Sequence, residues 1–176
     1  MIGQSVPAAT FHTRRRNDAL EGPNPFEWHD VQSADLFAGR AVVVVALPGA
    51  FTPACSETHL PGYEAAYDDL RAEGVDEVVC VAVNDAFVMF QWAKSLGVEK
   101  VRMMPDGNGD FTRLMGMLVD RGAQGLGLRS WRYSMLVEDG TITALFEEPG
   151  KGDNPPGVPV DRSSATVMLE HLRARG

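Results

Sequence analysis

The chain has 176 residues, 44% hydrophobic and 23% charged, with 16 Lys plus Arg against 24 Asp plus Glu and a formal net charge of −8. Length and composition predict one domain, 1–176, around a single core, and exclude disorder, collagen-like repeats and coiled coil as global descriptions. The acidic balance argues against nucleic acid as a partner, and the two cysteines, Cys55 and Cys80, are too few for a disulfide framework or a cysteine-rich zinc site.

The N-terminal segment MIGQSVPAATFHTRRR has no apolar stretch of signal-peptide length, and its basic run follows the apolar residues instead of preceding them. The longest apolar run, 41–48, is too short to cross a bilayer, so no membrane partner is expected. No Asn opens a glycosylation pattern. The expectation is a soluble, cytoplasmic protein whose two cysteines rest as thiols.

The run VVVVAL at 42–47 reads as a central strand buried on both faces. After the turn PGAF, Thr52-Pro53 reads as a helix start, a hydroxyl N-cap followed by Pro at the first helical position. That helix continues through YEAAYDDLRAE at 63–73 and stops at Gly74, with a kink or restart at Leu60-Pro61-Gly62. A second buried strand covers 77–83, and Asn84-Asp85 caps a helix over 86–96 that ends at Gly97. A short strand at 101–104 and a short helix at 111–115 follow. Two strands, 132–138 and 141–147, flank the hairpin signal Asp139-Gly140. An irregular loop with four prolines spans 149–159, and Ser163 caps a last helix over 165–173. The order predicts a three-layer α/β domain with a central mixed sheet flanked by helices.

The informative turn is PGAFTPACS at 48–56. With Thr52 as N-cap, Cys55 is the third helical residue, where first-turn N–H groups have no helical partner. Those donors and the positive end of the helix dipole favour a thiolate, which is the nucleophilic form, and can bind a small polar group beside it. Pro48 and Pro53 stiffen the turn and limit water access. The position is the C-terminal end of a central strand, where open α/β sheets place their sites.

PGAFTPACS resembles the active-site motif of the peroxiredoxins, specifically the peroxiredoxin 5 (type II) subfamily. The similarity continues in THLPG at 58–62, VNDAFV at 83–88 and GLRSWRYS at 127–134. The resemblance implies a thioredoxin-like fold and reduction of hydrogen peroxide and alkyl hydroperoxides, with no bound cofactor. By position it implies that Cys55 is the peroxidatic cysteine and that the Thr52 hydroxyl bonds its sulfur and the peroxide. Pro48 would shield the pocket, Arg132 would complete the site, and Arg129 would be a second arginine of the same stretch. It also implies a homodimer, to which the apolar Phe51 and Phe87 can contribute. A fixed guanidinium beside the sulfur suits the reaction, because negative charge builds on the leaving oxygen.

Cys80 lies within EVVCVAV and reads as an inert core thiol. Some relatives carry a resolving cysteine before the last helix, but this chain has DNPP at 153–156. A one-cysteine cycle is therefore expected, with glutathione and glutaredoxin, or thioredoxin, attacking the sulfenic acid. The alternative is a redox sensor that passes Cys55 oxidation to a partner, and a third reading is a catalytically dead domain. DGNGD at 106–110 fails as a calcium loop, since Phe111 and Met117 stand where Gly and the twelfth ligand belong, and it reads as a turn. His59, four residues after Cys55, can tune the thiolate or make a structural hydrogen bond. Arg14-Arg15-Arg16 reads as a solvated loop able to attract an anion such as glutathione, and Met89 and Trp92 read as packing.

Overall fold

The computed structural model describes residues 1–175. It opens with an antiparallel hairpin, β1 (Thr10–Arg16) and β2 (Phe26–Gln32), followed by α1 (Ser33–Phe37). The arginine run expected in a loop is thus part of a strand. The apolar run then forms β3 (Ala41–Ala46), and the segment after the PGAF turn is helical in three pieces. These are a π-helical turn over Cys55–His59, α2 (Leu60–Ala65) and α3 (Tyr67–Ala72). Pro61 near the start of α2 explains the expected restart: it has no N–H to continue the ladder, and the Leu60 N–H reaches back five residues to the Cys55 carbonyl.

Next come β4 (Glu77–Ala82), α4 (Ala86–Leu96), β5 (Arg102–Pro105), α5 (Asp110–Leu114) and two short strands, β6 (Leu118–Asp120) and β7 (Leu128–Ser130). The chain closes with β8 (Tyr133–Glu138), β9 (Thr141–Glu147) and α6 (Ala165–Arg173). The caps behave as their chemistry predicts. Asp85 accepts from the N–H groups of Phe87 and Val88 at 2.8 and 2.9 Å, and Gly97 ends α4 in the left-handed region. One cap is displaced by a residue: Ser164, not Ser163, accepts from the Val167 N–H of α6.

Five strands form one sheet in the order β5-β4-β3-β8-β9. β3, β4 and β5 are parallel, while β8 runs antiparallel to β3 and β9 antiparallel to β8. The expected mixed sheet is therefore present. Alternate residues of β3 face opposite cores. Val43 and Val45 pack with Tyr63, Leu70, Trp92 and Met168 from α2, α3, α4 and α6. Val42 and Val44 pack with Phe11, Phe37 and Phe111 from the hairpin, α1 and α5. Each such valine contributes about 1.5–3 kcal/mol by leaving water. The sheet is covered on both faces, and the C-terminal end of β3 delivers the Cys55 turn.

Candidate active site

Pro48 and Gly49 are buried at the end of β3, and the next residues make a strained bend. Phe51 has φ of 61°, a region that bulky side chains avoid, and the residue is 60% exposed. The bend is clamped from the next loop by Asn84, whose Oδ1 accepts the Ala50 N–H at 2.9 Å. Thr52 Oγ1 donates to the Gly49 carbonyl at 2.8 Å. The expected Thr52–sulfur bond is therefore not formed here; the nearby carbonyl takes the hydroxyl proton and leaves the oxygen lone pairs available. The Thr52 carbonyl accepts from Ser56 N–H at 3.0 Å, so the helix does start at this bend.

Cys55 is fully buried, and Arg132 Nη2 donates to its Sγ at 3.4 Å. Arg132 immediately precedes β8 and is itself buried, an expensive placement for a cation without partners. Its second partner is His59, whose Nδ1 lies 3.0 Å from Arg132 Nη1. His59 Nε2 lies 2.9 Å from the Ser163 carbonyl. The carbonyl can only accept and the guanidinium can only donate, so the imidazole is neutral with its proton on Nε2. Burial, and then the Arg132 charge, lower the His59 pKa to about 3. His59 thus makes a structural hydrogen bond and also holds the arginine that reaches the sulfur. Arg132 Nε has no hydrogen-bond partner among the described residues, which leaves one buried donor for an incoming oxygen atom.

Arg129, on β7, lies against the bend rather than on the sulfur. Its Nε donates to the Leu126 carbonyl at 2.9 Å, and a Cβ added at Gly49 would stand 2.5 Å from its Nη1. Gly49 therefore admits the guanidinium to the site. Burial lowers the Arg129 pKa, while the nearby Cys55 raises it.

Several supporting residues carry no motif signal. Glu148 is buried and its Oε1 accepts from the Asp161 and Ser163 N–H groups and from the Ser163 hydroxyl, at 2.7 to 2.9 Å. That carboxylate fixes the Ser163 carbonyl on which His59 and the Tyr63 hydroxyl both rest. Its backbone N–H also bonds the Arg132 carbonyl at 3.1 Å. Trp92 is core packing, as expected, but its indole N–H also donates to Ser56 Oγ at 3.0 Å, next to Cys55. Asp106 in the DGNGD turn accepts from the Phe111 and Thr112 N–H groups and fastens the start of α5.

The Redoxin family model matches residues 2–163. A peroxiredoxin of Synechocystis sp. is 51% identical over 98% of this chain and 92% of its own length. The Plasmodium falciparum antioxidant protein, a 1-Cys peroxiredoxin, superposes with a TM-score of 0.90 at 30% identity, covering 98% of this chain and 99% of its own. Reduced Prx3 of Vibrio vulnificus in complex with H2O2 gives a TM-score of 0.83 at 38% identity, with 98% of each chain covered. Such relatives share a thioredoxin fold, need no bound cofactor and draw on an external thiol. A buried thiol on the first turn after a central strand, met by an arginine, is here joined to similarity along almost the whole chain, and the chain belongs to the peroxiredoxin family, as a thiol-dependent peroxidase.

Proposed function

We propose that Cys55 is the peroxidatic residue of a one-cysteine peroxiredoxin of the peroxiredoxin 5 type, built as one domain. The observation that carries this reading is the 3.4 Å hydrogen bond from Arg132 Nη2 to the Cys55 sulfur. The thiolate attacks one oxygen of ROOH in line with the O–O bond. An S–O bond forms as the O–O bond breaks, and RO⁻ leaves and is protonated to ROH. With hydrogen peroxide the second product is water. Arg132 faces the developing negative charge with preorganised donors, including the unused Nε. The Thr52 oxygen can accept the proton of the peroxide, and Pro48 keeps the bend dry. The H2O2 complex of the Vibrio vulnificus relative supports hydrogen peroxide as one substrate.

Cys55 leaves the first step as a sulfenic acid, two electrons oxidised. Cys80 sits in the middle of β4, paired with Val45 on one side and Met103 on the other. A disulfide to Cys55 would have to form inside the packed sheet, a poor place for the rearrangement it needs, so an external thiol is the better reductant. Glutathione with glutaredoxin is the first choice and thioredoxin the second. The 1-Cys description of the Plasmodium falciparum relative supports the same cycle. Two free thiols fit a reducing, cytoplasmic setting, and no helix among the described residues is long and apolar enough to cross a membrane. The exposed rings of Phe51 and Phe87 support a homodimer through the active-site face.

Intact-mass measurement tests the cycle. The protein receives one equivalent of peroxide and then glutathione. A glutathione adduct on Cys55 is the expected product. Loss of two hydrogens before glutathione is added would instead show a Cys55–Cys80 bond. Peroxide consumption by Cys55→Ser would overturn the assignment altogether.

A further inference from the structure

The β1–β2 hairpin carries three consecutive arginines that peroxide chemistry does not use. Two are neutralised locally: Arg15 Nε donates to Glu27 Oε1 at 2.7 Å, and Arg16 Nε donates to Asp18 Oδ1 at 2.6 Å. Arg14 meets no carboxylate among the described residues. Its Nη2 donates to two neutral acceptors, the Phe26 carbonyl at 2.9 Å and Asn24 Oδ1 at 3.3 Å. The other guanidinium donors, on Nε and Nη1, make no hydrogen bond among the described residues. Three aromatic rings surround the cation, with centroids 4.6 Å (Phe87), 5.6 Å (Phe26) and 5.9 Å (Trp28) from its central carbon. The ring faces attract the cation, but they do not cancel its charge.

Arg14 also lines a cavity of about 490 Å³ between the hairpin, α4 and β5. Phe26, Phe87, Met89, Phe90 and Met103 supply most of the apolar wall. Cys55, Thr52 and Arg132 are not part of it. The volume falls within the roughly 300–1,000 Å³ of ordinary small-molecule sites, which pair apolar walls with a few fixed polar groups. A chain with net charge −8 gives anions no general attraction, so an anion held here must be held by this one cation. A single part-buried guanidinium with free donors on Nε and Nη1 matches one planar, singly charged carboxylate better than a more highly charged phosphate.

We propose that this cavity binds an organic carboxylate with an apolar tail, the head on Arg14 and the tail along Phe26, Phe90 and Met103. The tail removes apolar surface from water on both sides, and the head completes the hydrogen bonding of the guanidinium. Cys55, Thr52 and Arg132 lie outside the site, which does not depend on the identity of the reductant. Phe87 is the one lining residue it shares with the proposed homodimer face, and the tail rests on the other rings.

Calorimetric titration of the full chain with decanoate tests it, with decan-1-ol as the uncharged probe. The expected result is saturable binding of one decanoate per chain, and about tenfold weaker binding of the alcohol. Arg14→Gln is expected to weaken decanoate about tenfold and leave decan-1-ol unchanged, while Arg15→Gln leaves both unchanged. Ala86→Phe, which narrows the cavity without touching the charge, is expected to weaken both probes; it decides the matter if Arg14→Gln does not fold. Absence of saturable decanoate binding overturns the proposal, as does wild-type affinity in Arg14→Gln. Binding that survives Arg14→Gln but is lost in Arg132→Met places the carboxylate beside Cys55 and also overturns it. Conversion of a dimer to monomers by Arg14→Gln, with no decanoate heat from the wild type, assigns the surface to a second copy and overturns it too.

Discussion

Cys55 and Cys80 are both fully buried and belong to the same core cluster, yet their surroundings have opposite chemistry. Cys80 is flanked by β3 and β5 in mid-sheet, where backbone polar groups already have partners. Burial, with Cys55 second, pushes its thiol pKa well up. Cys55 lies on the first turn after a strand and receives a hydrogen bond from a guanidinium that is itself held by a neutral imidazole. Burial therefore does not separate the reactive thiol from the inert one. What separates them is whether the fold aims donors at the sulfur.

The contrast breaks most completely at the sulfur itself. Cys55→Ser is expected to abolish peroxide consumption, about 10³-fold or more in a stopped-flow or coupled assay, because the hydroxyl is not ionised at neutral pH. Arg132→Lys keeps the charge but loses the fork that meets both Sγ and His59. Its expected cost is about 10²–10³-fold in the second-order rate of Cys55 oxidation. His59→Gln removes the imidazole that positions Arg132, with an expected loss of about tenfold in the same rate.

His59 also gives a pH signature. Its pKa is about 3 when folded against 6.5 when exposed. Between those values the unfolded chain binds a proton that the folded chain excludes. Stability is therefore retained above pH 6.5 and falls as pH drops toward 3, by about 1.4 kcal/mol per pH unit. Chemical denaturation of wild type and His59→Gln across that window is expected to show a shallower slope in the variant. Gly49→Ala displaces Arg129 from the bend and is expected to slow Cys55 oxidation severalfold, a smaller effect than loss of the direct contact. Cys80→Ala marks the other end of the comparison. Turnover is expected within about twofold of wild type, with a stability loss of about 1 kcal/mol for the small void in the sheet face.

The parallel strands, α4 and the β8–β9 hairpin were legible in the sequence because their signals are local: β-branched runs, an Asp cap, a Gly stop and an Asp-Gly turn. The first hairpin was not. FHTRRR and FEWHDVQ are mostly polar, and the connection over 17–25 has no two-residue turn signature. Those strands are held by a few inward residues such as Phe11 and Val31 packed beneath the sheet, so tertiary burial decides them. In the site, Cys55 and Arg132 were legible through the motifs that contain them. Glu148 and Ser163 were not, and Asn84, though inside VNDAFV, read only as part of a helix cap, because their roles at the site exist only after distant segments meet. His59 and Ser163 are 104 residues apart. The Ser163–Ser164 ambiguity has the same origin: two adjacent serines are equivalent as caps until Glu148 captures one of them.

The wide turn over Cys55–His59 has a consequence for how this chain tolerates change. A residue accommodated by a five-residue reach, instead of four, offsets the following helix by about 100° of rotation relative to an uninterrupted ladder. The turn thus acts as a phase shift of one residue between the sulfur and the core-facing side of α2. Deleting the single residue between Ser56 and Thr58 would restore regular helical spacing and keep Tyr63 and Leu60 in phase, whereas tightening the turn to four-residue spacing at its present length would swing both away from the positions their neighbours are built to receive. Composition there is forgiving, since Glu57 and Thr58 are exposed; the width of the turn is not.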